Sequence, residues 1–258
     1  MLPERIHAFW DELADFDAVD VDGALRHLQA TLCDLVRAGN AYWVGAVRLS
    51  DDRKDPLRGW RGARKSSLHV EPPAPCGSEY STLLQRAWDL RKVDRSFFLA
   101  TETAGTFRCF SYRERLPGEW FESDFYKFFY GALGIFDILQ VGFPLGPDAE
   151  SHVLLYRIGS RRPFSRREAS LAAQALRGIK WFHRRLMLSH GLLVSSSPLC
   201  PVERRIVKLL LSGASEKEVA DKATLAVTTT HKYVTDLFRK FGVRSRAELM
   251  SLWLNRAA

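Results

Sequence analysis

The sequence predicts an α+β domain built on an antiparallel sheet, followed by a small all-α domain of four helices. Before residue 160, strand-like and helix-like stretches follow one another without regular β-α alternation, which is typical of an α+β domain. Near residue 195, an uncharged run of three serines and a proline reads as a linker. After it come four short amphipathic stretches, with a tight turn between the second and the third. These observations place a front domain at 1–164, a connecting helix at 165–191, a linker at 192–198 and a C-terminal domain at 199–258.

The composition is that of a folded protein. Of the 258 residues, 46% are hydrophobic and 26% are charged, values that exclude a disordered chain. No apolar run approaches the roughly 18 to 20 residues of a membrane span, and the first residues lack the apolar segment of a signal peptide. Four scattered cysteines without a C-x-x-C pair fit a reducing compartment. We therefore expect a cytoplasmic protein that makes no membrane contact.

The charge is distributed unevenly. The whole chain carries a formal net charge of +8. Residues 1–156 have a net charge of −5, residues 157–190 of +8, and residues 199–258 of +5. A basic rear half predicts an anionic partner there. A solvated basic face without any partner is the alternative that charge alone leaves open.

The front domain is predicted from hydrophobic periodicity and turn residues. Apolar positions at helical spacing, or aromatic runs bounded by glycine, predict helices at His7–Phe16, Gly23–Ala38, Tyr80–Lys92 and Asp124–Leu133. β-Branched and alternating stretches predict strands at Ala41–Leu49, Leu57–Trp60, Ser66–Val70, Thr106–Tyr112, Asp137–Phe143 and His152–Ile158. The turn-rich segment between the last two strands is expected to be a loop.

One long helix is predicted to connect the domains. Ser165 and Glu168 have the spacing of a capping box, in which each side chain satisfies a free backbone N–H of the first turn. Apolar residues then recur at steps of three and four, at Ala172, Ala175, Leu176, Ile179, Phe182 and Leu186. This stripe must be covered, either by the parent domain or by the same helix of a second copy.

The C-terminal domain is predicted to contain four helices. They are Pro201–Leu211, a short helix opened by the capping box Ser215-Glu-Lys-Glu218, Val227–Phe241, and a last helix opened by Ser245-Arg-Ala-Glu248. The second and third helices form a helix-turn-helix arrangement. Polar and basic residues point away from the apolar stripe of the third helix: Thr228, Thr229, His231, Lys232, Thr235, Arg239 and Lys240. A helix of this kind fits the DNA major groove, and Lys217 is placed to bind a phosphate beside the N-terminus of the preceding helix.

These residues carry a close resemblance to a known family. Gly213-Ala-Ser-Glu-Lys-Glu-Val-Ala220, Thr229-Thr-His-Lys-Tyr233 and Lys240-Phe-Gly-Val-Arg-Ser-Arg246 resemble the LuxR-type helix-turn-helix of bacterial transcription regulators. Cys200 and Ala226 stand where that family has capping hydroxyl residues, and Thr230 stands where it has a valine. The resemblance implies double-stranded DNA as a partner, a homodimer, and RNA polymerase as a further partner. It also implies that the fourth helix helps to form the dimer interface, which Leu249, Leu252 and Trp253 would continue here.

The function of the front domain is less sharply indicated. The order of its elements resembles GAF-like or PAS-like sensor domains, which hold a small-molecule ligand beside the sheet or serve for dimerisation. Candidate ligand contacts are the aromatic residues Trp43, Trp60, Trp120, Phe125 and Tyr126. These residues also permit an acyl-homoserine-lactone pocket, although the ordered Trp, Tyr and Asp-Pro pattern of that family is missing. Asp51-Asp52 after a strand is more simply a turn than the site of a phosphorylation receiver.

The combined prediction is a DNA-binding transcription regulator with a sensor or dimerisation domain. No nucleophile motif, paired carboxylates or phosphate loop predicts an enzyme, and the histidines and cysteines show no metal-ligand spacing, so no cofactor is expected. Two alternatives remain: a module like region four of sigma factors, and a protein-interaction adaptor without a specific operator.

Overall fold

The computed structural model describes residues 2–69, 93–194 and 198–257. The chain divides into two compact units. Met1–Leu13 and Arg26–Ile179 form the first unit, and Ala14–Leu25 and Lys180–Ala258 form the second. The division after Ile179 falls inside the predicted connecting helix.

The first unit is built on a five-stranded antiparallel sheet. Its strands are β1 Asn40–Arg48, β2 Trp60–Ser67, β3 Arg108–Ser111, β4 Ile135–Gly146 and β5 Ala149–Ile158. Their order across the sheet is β2-β1-β5-β4-β3. The central strands are buried on both faces, which explains their nearly continuous apolar sequences. The predicted α+β domain on an antiparallel sheet is confirmed.

Two strand predictions are corrected. The predicted strands Leu57–Trp60 and Ser66–Val70 are replaced by the single strand β2, which lies at the sheet edge. Its exposed and half-buried polar residues gave no apolar alternation to read. The predicted loop between β4 and β5 is mostly strand, because the ladder continues to the pair Gly146 and Ala149 and leaves a tight turn.

Helices precede and separate the strands along the chain. In the first part of the chain they are α1 Leu2–Ala14, α2 Val21–Val36, α3 Arg95–Thr101, α4 Tyr112–Arg115 and α5 Asp124–Phe129, with 3-10 turns at Gly118–Glu122 and Gly131–Leu133. The first two confirm the predicted helices. The helix predicted at Asp124–Leu133 ends early, at Phe129, and the one predicted at Tyr80–Lys92 lies outside the described residues.

The predicted single connecting helix is wrong: two helices are present, α6 Arg166–Arg177 and α7 Lys180–Ser189. Gly178 separates them, and the Trp10 ring packs so close that a Cβ at Gly178 would lie 2.2 Å from it. The indole N–H of Trp10 donates to the Ala175 carbonyl at 2.8 Å, which holds the ring there. The capping box is present. All six stripe residues are at most 1% exposed, so the chain itself covers the stripe.

The four C-terminal helices are confirmed as α8 Pro201–Leu211, α9 Glu216–Ala223, α10 Val227–Phe241 and α11 Arg246–Ala257. Their apolar faces meet in one core, which includes Leu199, Ile206, Val207, Leu210, Val219, Val234, Leu237, Phe241 and Leu249. Within the described ranges, no helix combines the length and apolarity that crossing a bilayer requires.

The helix starts are capped as the sequence predicts, with two differences. Cys200 does cap α8: its Sγ accepts the Glu203 N–H at 3.5 Å, and Glu203 accepts the Cys200 N–H at 2.7 Å. The box at the start of α11 is only half formed, because Glu248 accepts from the Arg244 N–H instead of the Ser245 N–H. The Cys200 thiol thus serves as the N-cap acceptor of α8, in place of the hydroxyl that the family has there.

Candidate nucleic-acid interface and cavity

Helix α10 divides its side chains between a core face and an outward face. Thr230, Val234, Leu237 and Phe241 are buried. The exposed residues of the predicted DNA-binding set are Thr228, Thr229, His231, Lys232, Thr235 and Arg239 on α10, together with Lys217 on α9. Seven of the eight predicted residues therefore lie at the surface of one helix pair.

The charged side chains on this face differ in how far they are already paired. His231 Nδ1 lies 3.0 Å from Glu216 Oε2, and Arg239 bonds to Asp236 at 2.8 Å, one turn away. Lys217 and Lys232 are exposed and make no ion pair with any residue that the structure describes. These two ammonium groups can bind an anion without losing an existing partner.

The prediction that Lys240 faces outward is wrong. Its Nζ lies 3.0 Å from Glu203 Oε2, both side chains are 17% exposed, and it also donates to the Pro198 carbonyl. Burial disfavours the charged form of Glu203, but hydrogen bonds from the Cys200 N–H and from Lys240 hold the pKa of its carboxyl below the usual value. Lys240 therefore ties the end of α10 to the start of α8.

Helix α10 has two unusual features: its N-cap residue has no capping side chain, and a threonine is buried on its core face. Ala226 occupies the N-cap position and supplies no side-chain hydrogen bond to the first turn. Thr230 is fully buried, and its hydroxyl has no hydrogen-bond partner in the described part of the chain. The preceding turn contains Thr224 at a φ of +59°, the left-handed region, where a β-branched residue is strained.

The residues expected to form a dimer interface on α11 face inward instead. Leu249 is fully buried, and Leu252 and Trp253 pack half-buried against the C-terminal core. The exposed apolar side chains of α11 are Met250, at 40%, and Leu254, at 72%. They stand four residues apart and so lie on one side of the helix.

A cavity of about 360 Å³ lies against one face of the sheet in the first unit. Alternate residues of three neighbouring strands line it: Tyr42, Val44 and Ala46 of β1, Gln140 of β4, and Glu150, His152, Leu154 and Tyr156 of β5. Trp60, Tyr112 and Leu133 are among the other lining residues. A small molecule fits a space of this size and mainly apolar character.

Of the five aromatic residues proposed as ligand contacts, only Trp60 lines the cavity. Trp43 projects from the opposite face of β1 and donates to Ser151 at 2.9 Å. Trp120 donates to Asp94, and the Tyr126 hydroxyl donates to the Ile135 carbonyl at 2.7 Å. Phe125 is packed against the aromatic cluster around Trp120. These four residues belong to cores beside the cavity.

A hydrogen-bonded network of buried polar side chains forms part of the cavity wall. Arg108 donates to both oxygens of Glu150, at 3.0 and 2.7 Å. His152 Nε2 lies 3.1 Å from Glu150, and its Nδ1 lies 3.2 Å from Gln140 Nε2. The network ends at Tyr112, whose hydroxyl donates to Gln140 Oε1 at 2.8 Å. Sequence reasoning missed this network, although polar residues at inward positions of the apolar strands β4 and β5 were a signal for it.

The charge states of Glu150 and Tyr112 follow from their surroundings. Burial would raise the pKa of the Glu150 carboxyl, but hydrogen bonds from His152 and Arg108 and their charges lower it to about 2. Burial raises the pKa of the Tyr112 hydroxyl, and the charge of Asp94 adds to this. Glu150 is therefore an anion, and Tyr112 is a neutral donor, at neutral pH.

The arrangement of α8 to α11 defines a helix-turn-helix domain, and comparison with known proteins identifies its family. Residues 197–253 match the GerE model, described as bacterial regulatory proteins of the luxR family. This segment is a LuxR-family helix-turn-helix domain. "Probable HTH-type transcriptional regulator GfsR" of Streptomyces halstedii is 42% identical over 62 residues, which are 23% of this chain and 26% of that protein. The match thus spans about a quarter of the relative's length.

Solved structures similar to the chain include one of the VqsR LBD domain and one of SdiA. The VqsR LBD domain from Pseudomonas aeruginosa has 16% identity and a TM-score of 0.45, covering 70% of this chain and 96% of that one. SdiA in complex with octanoyl-rac-glycerol has 10% identity and a TM-score of 0.44, covering 99% of this chain and 95% of that one.

Proposed function

We propose that the protein is a transcription regulator that binds specific sequences of double-stranded DNA through α10. The observation that carries the proposal is the outward face of α10 and α9 on a LuxR-family domain. This face has three hydroxyls, a histidine and three exposed basic side chains. Lysine and threonine near the start of a helix reach base edges in the major groove, and basic side chains near its end hold the backbone. Lys217 binds a phosphate beside the N-terminus of α9.

Selection from random double-stranded DNA tests this proposal directly. The purified full chain is expected to enrich one motif. Return of no motif would favour the protein-interaction adaptor. A motif bound only in the presence of RNA polymerase would favour the module like sigma region four.

Lys232 is proposed to read a base edge. In a gel-shift series on the selected motif, Lys232→Ala is expected to weaken binding by about 1–3 kcal/mol and to relax the sequence preference at one position. Lys54→Ala, an exposed lysine in the first unit, is the control and should bind as the wild type does. Unchanged affinity and preference for Lys232→Ala would refute the assignment.

Two copies are proposed to bind together, through the exposed Met250 and Leu254 of α11. Met250→Glu with Leu254→Glu should yield monomers in light scattering and should leave the melting temperature nearly unchanged, because both side chains already face solvent. Val202→Glu, an exposed apolar residue of α8, is the control. Persistent dimers of the double variant would place the interface elsewhere.

The front domain is proposed to bind a small molecule in the 360 Å³ cavity and so to control DNA binding. The support is the position of the cavity against the sheet and its mixture of apolar and buried polar lining residues.

A further inference from the structure

The amide of Gln140 is a buried part of the cavity wall that has an unused hydrogen-bond donor. Gln140 is 3% exposed and lines the cavity. Its oxygen accepts from Tyr112, and one of the two hydrogens on its nitrogen points to His152 Nδ1. An amide nitrogen carries two hydrogens, and no described residue accepts the second. The second hydrogen is therefore available to an acceptor in the cavity.

The orientation of that amide is fixed from behind. The Glu150 carboxylate accepts from Arg108, from the Gly105 N–H at 2.8 Å and from His152 Nε2. A carboxylate only accepts hydrogen bonds, so the hydrogen of a neutral His152 must sit on Nε2, and its Nδ1 is then an acceptor. An acceptor at Nδ1 requires the nitrogen of Gln140, and not its oxygen, to face it. In this orientation the Tyr112 hydroxyl donates to the amide oxygen.

The wall also has a charge preference. Glu150 is the acidic side chain among the described lining residues, and Arg108, Gly105 and His152 already occupy its oxygens. A cationic ligand end would lie in the cavity without an available counterion, which is costly in a buried site. Lys65, an exposed lining residue, is the group that an anionic end would seek.

We propose that Gln140 is the specificity-determining residue of this cavity and that His152 is its positioning residue. Together they select a ligand whose buried end is uncharged and accepts a hydrogen bond. This inference rests on the proposed ligand-binding function of the cavity.

Three probes with eight-carbon chains test the inference on the full chain by calorimetry: 2-octanone, octylammonium and octanoate. The wild type should bind 2-octanone at least tenfold more tightly than octylammonium. Gln140→Glu keeps the shape but loses the amide N–H donor, and should lower the affinity for 2-octanone about tenfold. Gln140→Leu serves the same comparison if Gln140→Glu does not fold. The control Leu133→Ala, on the apolar wall, should weaken all three probes alike.

His152→Leu separates positioning from packing. Without the imidazole the amide is free to turn, so the difference between 2-octanone and octylammonium should shrink while binding itself persists. Unchanged discrimination in His152→Leu, or equal binding of 2-octanone and octylammonium by the wild type, would overturn the inference alone. Tightest binding of octanoate would assign recognition to Lys65 and overturn it as well. Failure of every probe to bind the wild type would overturn the proposed ligand site together with the inference. The DNA-binding proposal would not be affected, because the selection from random DNA tests it independently.

Discussion

Replacing Thr230 by valine should stabilise the second unit. Thr230 is fully buried on the core face of α10, and its hydroxyl has no partner within the described ranges. A buried hydroxyl without a hydrogen bond costs about 1–3 kcal/mol. Valine has nearly the same shape, is also β-branched, and removes the polar atom. We therefore expect Thr230→Val to raise the free energy of unfolding by roughly 1–2 kcal/mol.

Urea denaturation of the full chain, followed by circular dichroism, measures this change. In thermal denaturation, a gain of 1 kcal/mol should raise the melting temperature by about 2–4 °C for a chain of this size. Thr228→Val is the matched control, since Thr228 is exposed on the same helix and the change should stay within about 0.5 kcal/mol. If Thr230→Val were no more stable than Thr228→Val, the hydroxyl would be satisfied and the reasoning refuted.

Three further substitutions or conditions test the packing and the charges. The pKa of Glu150, about 2, lies below its ordinary value of 4.5. The ionised carboxylate should therefore contribute roughly 3 kcal/mol to the free energy of unfolding above pH 5, and this contribution should fade towards pH 2. Glu150→Gln should flatten this part of a stability–pH curve. Thr224→Asn should raise the urea midpoint by an amount equivalent to about 0.5–1 kcal/mol, because asparagine tolerates a positive φ better; a lower midpoint would contradict this. Gly178→Ala should cost about 1–3 kcal/mol by displacing the Trp10 ring, whereas Gly118→Ala, with open space around it, should not; equal melting temperatures would count against the clash.

The C-terminal domain was predictable because its signals are local. Ser215 and Glu218, for example, form their capping box three residues apart, and the buried Val234, Leu237 and Phe241 repeat along a single helix. Nothing distant in the chain is needed to read either feature. Lys240 escaped correct prediction because its partner, Glu203, lies on another helix.

The front domain was less predictable because its decisive contacts join distant residues. Arg108 meets Glu150 only because β3, β4 and β5 pair in one particular register, and the sequence pattern placed Glu150 in a loop. The break at Gly178 depends on Trp10, which bonds to a carbonyl 165 residues away. Periodicity predicts which face of an element is buried, but the partner on the other side comes from topology.

The salt dependence of DNA binding distinguishes the charge of a segment from the charge available to a partner. Residues 157–190 carry the largest net charge, but Arg157 is buried and paired with Glu168, which Arg162 also contacts. Among the residues predicted to bind DNA, the exposed cations are Lys217, Lys232 and Arg239. Each phosphate contact contributes about −0.9 to the slope of log K against log salt.

Three such contacts in each of two copies predict a slope of about −5, measured by gel shift between 50 and 200 mM salt. Lys217→Ala should reduce its magnitude by roughly 2, one contact per copy, and leave the sequence preference unchanged. A slope near −10 that Lys217→Ala left unaltered would mean that cations outside the predicted set, such as the arginines of residues 157–190, bind the DNA backbone. The assignment of phosphate binding to α9 and α10 would then be wrong, because the outward face of these helices has too few cations to produce it.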